Sequence, residues 1–118
     1  MPTIIGVQSF GETDSIIGTT TDTYASALDW DCQRLGGKTI VLKNTDSDNS
    51  LDYKVLVKAN YGGIEAEEIA ETTLAMGDIV IIILDNIYAR VIVQLKASVS
   101  GSQATYQVDY IGLPLGAG

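Results

Sequence analysis

The sequence has no histidine, one cysteine (Cys32), one tryptophan (Trp30), one phenylalanine (Phe10) and two prolines. Without histidine it lacks the commonest general base and the commonest transition-metal ligand. A single cysteine closes no internal disulfide, so nothing in the chain points to an oxidising compartment. Within an apolar-alternating run, Cys32 reads as a small buried hydrophobe. Basic residues are scarce as well: seven Lys and Arg stand against fifteen Asp and Glu, a formal net charge of -8. That balance opposes attraction to phosphate backbones and to anionic lipid, leaving a protein surface as the expected partner, with no nucleic acid and no membrane. The longest apolar run, Ile79 to Leu84, is far short of the roughly 20 residues a membrane helix needs. The start, Met1-Pro2-Thr3-Ile4-Ile5-Gly6, lacks a basic region followed by a long apolar one, which predicts synthesis and folding in a cytoplasm.

What is present is enough apolar material for one core. The chain has 118 residues, of which 46% are hydrophobic and 19% charged, a globular composition at single-domain size. Residues 1 to 22 hold a short apolar piece, Thr3-Ile4-Ile5-Gly6-Val7, then Gly11, Gly18 and a threonine run with few large side chains. They read either as an extended arm lying on a neighbouring subunit or as an ordinary edge strand with a loop. On the first reading Ile4, Ile5, Val7, Phe10, Ile16 and Ile17 are the candidate interface.

From Tyr24 onward a period of two appears. Tyr24, Leu28, Trp30 and Cys32 share one face, while Thr23, Asp29 and Asp31 share the other. Leu35-Gly36-Gly37 reads as a turn before the β-branched run Lys38 to Lys43. Asn44 to Ser50 consists of turn formers, and Leu51, Tyr53, Val55, Val57 and Ala59 then alternate with polar residues, predicting a strand with one wet face. Ile64 to Met76 mixes helix-favouring Glu and Ala with Ile and Thr, and its position between strands predicts another strand. Ile79 to Leu84 is apolar throughout and reads as a strand buried on both faces or covered by another subunit. Ala89, Val91, Val93, Leu95 and Ala97 are predicted inward, and Ser98 to Ser102 is predicted as a hairpin loop leading to a strand with Ala104, Tyr106, Val108 and Tyr110 on one face. The fold class is therefore all-β, an antiparallel β-sandwich or jelly-roll-like domain over residues 23–112, with an N-terminal arm (1–22) and a flexible tail (113–118).

Chemistry is mostly lacking. No G-x-S-x-G elbow or other nucleophile signature is present, and the hydroxyls are scattered on strands and turns. Asp29 and Asp31 are close enough to suggest a glycosidase pair, but they also fit a solvated face. Asp46, Asp48 and Asn49 cluster oxygen ligands without the glycine and spacing of a calcium loop, and fit a metal-free turn. The glutamates from Glu65 to Glu71 fit a wet face, and the paired glycines form no phosphate cradle. No catalytic residue, metal site or cofactor is expected. Trp30 and the six tyrosines keep open a carbohydrate- or ligand-binding sandwich, provided that Trp30 and Tyr106 prove exposed.

The pieces Ile40-Val41-Leu42-Lys43-Asn44, Leu51-Asp52-Tyr53-Lys54-Val55, Ala70-Glu71-Thr72-Thr73-Leu74-Ala75-Met76-Gly77-Asp78, Tyr88 to Val93 and Ala104 to Gly112 resemble small phage virion proteins of the capsid decoration type. The likeness spans residues 38 to 112 and consists of strands and turns without a catalytic motif. It implies an accessory structural protein of the virion, trimeric, that clamps neighbouring copies of the major capsid protein through sheet contacts and arms. A place in the tail or baseplate is the alternative. No residue is recognisable as a family contact.

Overall fold

A computed structural model describes residues 12–115. It contains eight strands: β1 (Glu12–Thr19), β2 (Ala25–Asp31), β3 (Leu35–Asn44), β4 (Leu51–Lys58), β5 (Glu65–Leu74), β6 (Ile79–Leu84), β7 (Arg90–Ala97) and β8 (Thr105–Pro114). They form two four-stranded antiparallel sheets, ordered β1-β8-β3-β6 and β2-β7-β4-β5. Strand β1 pairs with β8, β2 with β7, β3 with β6 and β4 with β5, which is one long antiparallel ribbon rolled upon itself, the jelly-roll form of the sandwich.

The core lies between the sheets and comes from the alternating positions: Leu28 and Trp30 of β2, Ile40 and Leu42 of β3, Val55 of β4, Ile82 of β6, Val91, Val93 and Leu95 of β7, and Val108 of β8 are buried. Removing each such side chain from water contributes about 1.5–3 kcal/mol. Cys32 is fully buried, and burial pushes its thiol up to about 12. Strand β5 forms despite its helix-favouring glutamates and alanines, because the backbone of β4 offers it a ladder from Leu51↔Leu74 to Lys58↔Glu65.

One buried amide ties the turns to the sheets. Asn44 ends β3, and its Nδ2 donates to the carbonyls of Asn49 (2.9 Å) and Leu74 (3.0 Å). Its Oδ1 accepts the N–H of Asp46 at 2.9 Å, and its backbone carbonyl accepts the N–H of Gly77 at 2.9 Å. Gly77 has φ +76°, a conformation that favours glycine.

Several expectations are corrected. Of residues 1 to 22, read above as an arm or an edge strand, 12–19 form β1, hydrogen-bonded to β8 along its length, which is the edge-strand reading within the described residues. Leu35-Gly36-Gly37 is a bulge at the start of β3 rather than a turn; the chain reverses at Gln33 and Arg34, just before it. Ser98 to Ser102 is no hairpin loop, because β7 and β8 lie in different sheets. Leu113 and Pro114 of the expected tail extend β8. The second face of β4 is not wet. Asp52 and Leu56 on it are buried, and Asp52 accepts the hydroxyls of Thr73 (2.8 Å) and Ser98 (2.6 Å).

Candidate functional site

The two outer faces of the sandwich differ in chemistry, and the difference follows from strand parity. In β6 the even positions Val80, Ile82 and Leu84 turn inward, so the odd positions turn out. Ile79, Ile81 and Ile83 are 56%, 63% and 65% exposed. Of the two readings of the unbroken apolar run, burial on both faces does not hold: it is an edge strand with one bare side, which leaves the reading that another subunit covers it.

The register continues that side across the sheet. One row holds Thr13, Ile111, Thr39 and Ile83; the next holds Ser15, Asp109, Val41 and Ile81; a third holds Ile17, Gln107, Lys43 and Ile79. Ile17 is 77% exposed at one end of this face, and Ile111 and Leu113 are exposed toward the other end. At the centre Asp109 accepts hydrogen bonds from the Ser15 hydroxyl and from Gln107 Nε2 (3.0 Å), which hold its carboxyl below the ordinary carboxylate value. The face is a polar centre already satisfied from within, bordered by isoleucines that nothing among the described residues covers.

The other sheet turns out a charged surface on which several groups pair with one another. Arg90 makes a two-pronged ion pair with Asp29. Lys96 lies 3.7 Å from Glu71, and Tyr24 donates to Glu71 at 2.6 Å. The Tyr24 ring sits under Lys54 and Lys96, at 4.4 and 5.2 Å from its centroid. Burial and then the Glu71 contact raise the Tyr24 hydroxyl above its ordinary value.

The residues considered for catalysis and metal binding have other occupations. Asp29 is held by Arg90, and Asp31 accepts the N–H of Gln33 at 3.2 Å, opening the turn into β3. Asp46 accepts the N–H groups of Asp48 (3.0 Å) and Asn49 (2.8 Å), which hold its carboxyl low and shape the β3–β4 turn. Trp30 is buried against Tyr110, with ring centroids 4.7 Å apart, and Tyr106 is half-buried beside the core. No stacking platform for a sugar is built from them, which removes the motive for that reading. A cleft of about 350 Å³ lined by Gln33, Asn60, Tyr61, Ile87 and Tyr88 brings no pair of titratable carboxylates together.

Of the candidate interface residues, Ile4, Ile5, Val7 and Phe10 lie outside the described residues. Ile16 packs against the core opposite Val108, and Ile17 stands on the bare face. Sequence reasoning did not single out Ile79, Ile81, Ile83, Ile111 and Leu113 as exposed. The signal available was parity, since Ile111 and Leu113 continue the outward set of Gln107 and Asp109.

No protein-family model matches the chain, and a search of curated proteins finds no match. Among solved structures it is similar to the crystal structure of PirA, with a TM-score of 0.63 and 14% identity over 84% of this chain and 95% of that one. It is also similar to the Yersinia pseudotuberculosis-derived mitogen, with a TM-score of 0.57 and 15% identity over 86% of each chain. A subunit from Bacillus endospore appendages, described as a family of disulfide-linked pili, gives a TM-score of 0.57 and 12% identity over 87% of this chain and 86% of that one. At these identities the likeness is one of fold.

Proposed function

We propose that this chain is a non-catalytic structural β-domain that docks on a protein surface through the outer face of the β1-β8-β3-β6 sheet, and that the surface is the outside of a virus capsid. The observation that carries the docking reading is the contrast between the two faces: exposed isoleucines on one, internally paired charges on the other. The adjacent exposed isoleucines of β6, with Ile17, Ile111 and Leu113 around the polar centre, give this face the apolar surface and polar groups of an interaction site. The capsid reading is supported by the resemblance of residues 38–112 to small phage virion proteins. Each copy offers only a few isoleucines, so binding strength has to come from many symmetric copies engaging a repeating surface. Linkage by disulfides, as in the appendage pili, is closed to this chain because its one cysteine is buried.

The test is to purify particles of the virus that encodes the chain and digest them for mass spectrometry. The chain is expected in fixed stoichiometry with the major capsid protein. Its absence from particles ends the capsid reading, and its confinement to tail fractions moves the partner to the tail or baseplate.

A further inference from the structure

The four sheet edges are not equally protected. A free edge strand templates pairing with another chain unless charges, bulges or prolines blunt it. Strand β5 carries Glu65, Glu67, Glu68 and Glu71 and two register irregularities against β4. Strand β2 carries Asp29 and Asp31 and a bulge between Ser26 and Leu28. Strand β1 carries Glu12 and Asp14. Strand β6 has none of these devices. Its six residues are Ile79-Val80-Ile81-Ile82-Ile83-Leu84, and its register against β3 is unbroken from Lys43↔Ile79 to Lys38↔Leu84. No described strand pairs with its other side.

We infer that β6 is a self-pairing edge: two copies join antiparallel through Ile79–Leu84, making one eight-stranded sheet with Ile81 of each copy opposite the other across a two-fold axis. The occupant is a second copy because an all-apolar edge is complementary to itself, and charge selects the edge. At a net charge of -8 two copies repel, and contacts through β5, β2 or β1 bring further acids together, whereas β6 opposes none. Parity and side-chain shape select the register. Directly opposed residues in an antiparallel pair point to the same face, so joining the two bare faces into one requires odd positions opposite odd ones. Centring on Ile81 places Ile79 opposite Ile83 and Val80 opposite Ile82, an apolar ladder of β-branched pairs. It also sets Asp78 opposite Leu84 and Asp85 opposite Gly77, so no two acids are opposed, whereas the neighbouring register that parity allows, centred on Ile82, draws Leu84 and Asp85 into the ladder opposite Val80 and Ile79. A symmetric edge of this kind closes as a dimer, where the trimer implied by the virion resemblance would join unlike edges, β6 onto the acidic β1 of the next copy. The contact stands apart from the partner reading. Where both hold, it fuses two docking faces into one and doubles the valency of the unit.

The test uses the full chain alone in solution. Opposed Cα atoms in such a ladder lie about 4.5–5.5 Å apart, within disulfide reach of about 4.4–6.8 Å. Ile81→Cys is therefore expected to form a cross-linked dimer under mild oxidation, while Ile79→Cys, whose partner is position 83, cross-links only when mixed with Ile83→Cys. Buried Cys32 does not compete. Sedimentation is expected to give a concentration-dependent dimer for the natural chain and a monomer for Ile81→Lys, whose exposed position leaves the core intact, with unchanged circular dichroism as the check. A monomer at submillimolar concentration, a trimer, an Ile81→Lys dimer, or cross-linking of Ile79→Cys by itself each overturns the inference.

Discussion

The indole N–H of Trp30, on β2, donates to Oε1 of Glu12, on β1, at 2.7 Å, so a hydrogen bond spans the two sheets at one end of the core. Burying an indole with its N–H unpaired is costly, so this contact ties the start of β1 to β2. Glu12→Ala is expected to lower stability by about 1–2 kcal/mol, read from a urea midpoint with Trp30 fluorescence as the probe. Trp30→Ala removes the ring as well and is expected to cost about 3–5 kcal/mol. Equal effects from the two variants would contradict this account.

Gly112 faces the same ring. A Cβ there would stand 2.8 Å and 3.0 Å from Trp30 ring carbons and 2.9 Å from Leu35 Cδ1. Both neighbours are buried, so Gly112→Ala is expected to destabilise by about 1–3 kcal/mol by overpacking, seen as a lower melting temperature. The same change at Gly62, where nothing lies within 4 Å, is the control and is expected to do far less.

Asn44 is a fully buried amide whose three side-chain hydrogen bonds join the β3–β4 turn to the end of β5. Asn44→Ala strands two carbonyls and one N–H in a buried site, with an expected cost of about 3 kcal/mol. Asn44→Asp keeps the shape but loses both donors and sets a buried carboxylate against two carbonyls, so at neutral pH it is expected to cost more than Asn44→Ala. The ordering natural chain, Ala, Asp in denaturant midpoints at neutral pH is the check.

The Cys32 thiol, raised by burial to about 12 from an ordinary 9.0, gives an alkaline signature. The folded chain keeps its proton between those values while the unfolded chain loses it. This contribution to stability is therefore whole below pH 9 and is lost as pH rises toward 12. Asp46 works in the opposite sense: its carboxyl is held low by the Asp48 and Asn49 N–H groups, so its contribution is present above the ordinary 3.8 and is lost as pH falls through its folded value. A thiol reagent at pH 9 is expected to label Cys32 only as fast as the fold opens, with labelling rising in step with added urea. Rapid labelling of the native chain would contradict the burial.

The legible parts of the fold were those in which one strand carries its own information. The alternation Val91, Val93, Leu95 survives intact because β7 lies between two neighbours with its inward set apolar. Likewise Trp30 and Cys32 fell on the core side, as their parity with Leu28 required. Illegible were properties that belong to pairs of strands. That β6 ends a sheet depends on what fails to pair with it, and that Ser98 to Ser102 crosses between sheets depends on where β8 finds β1 and β3. Leu35-Gly36-Gly37 has turn chemistry, yet its glycines serve a bulge because β8 runs on to Pro114 and draws the segment into the ladder. For the same reason the bare face was missed: its isoleucines come from β1, β6 and β8, which are far apart in sequence and adjacent only through the roll.

The claim that matters most is which face is covered when the protein is at work, and density for particles carrying the chain tests it directly by cryo-electron microscopy. The account predicts the β1-β8-β3-β6 sheet against the capsid, with Ile17, Ile81 and Ile111 in the contact and the Asp29–Arg90 pair facing solvent. Density that seats the β2-β7-β4-β5 sheet on the capsid, leaving the isoleucines bare, would contradict it.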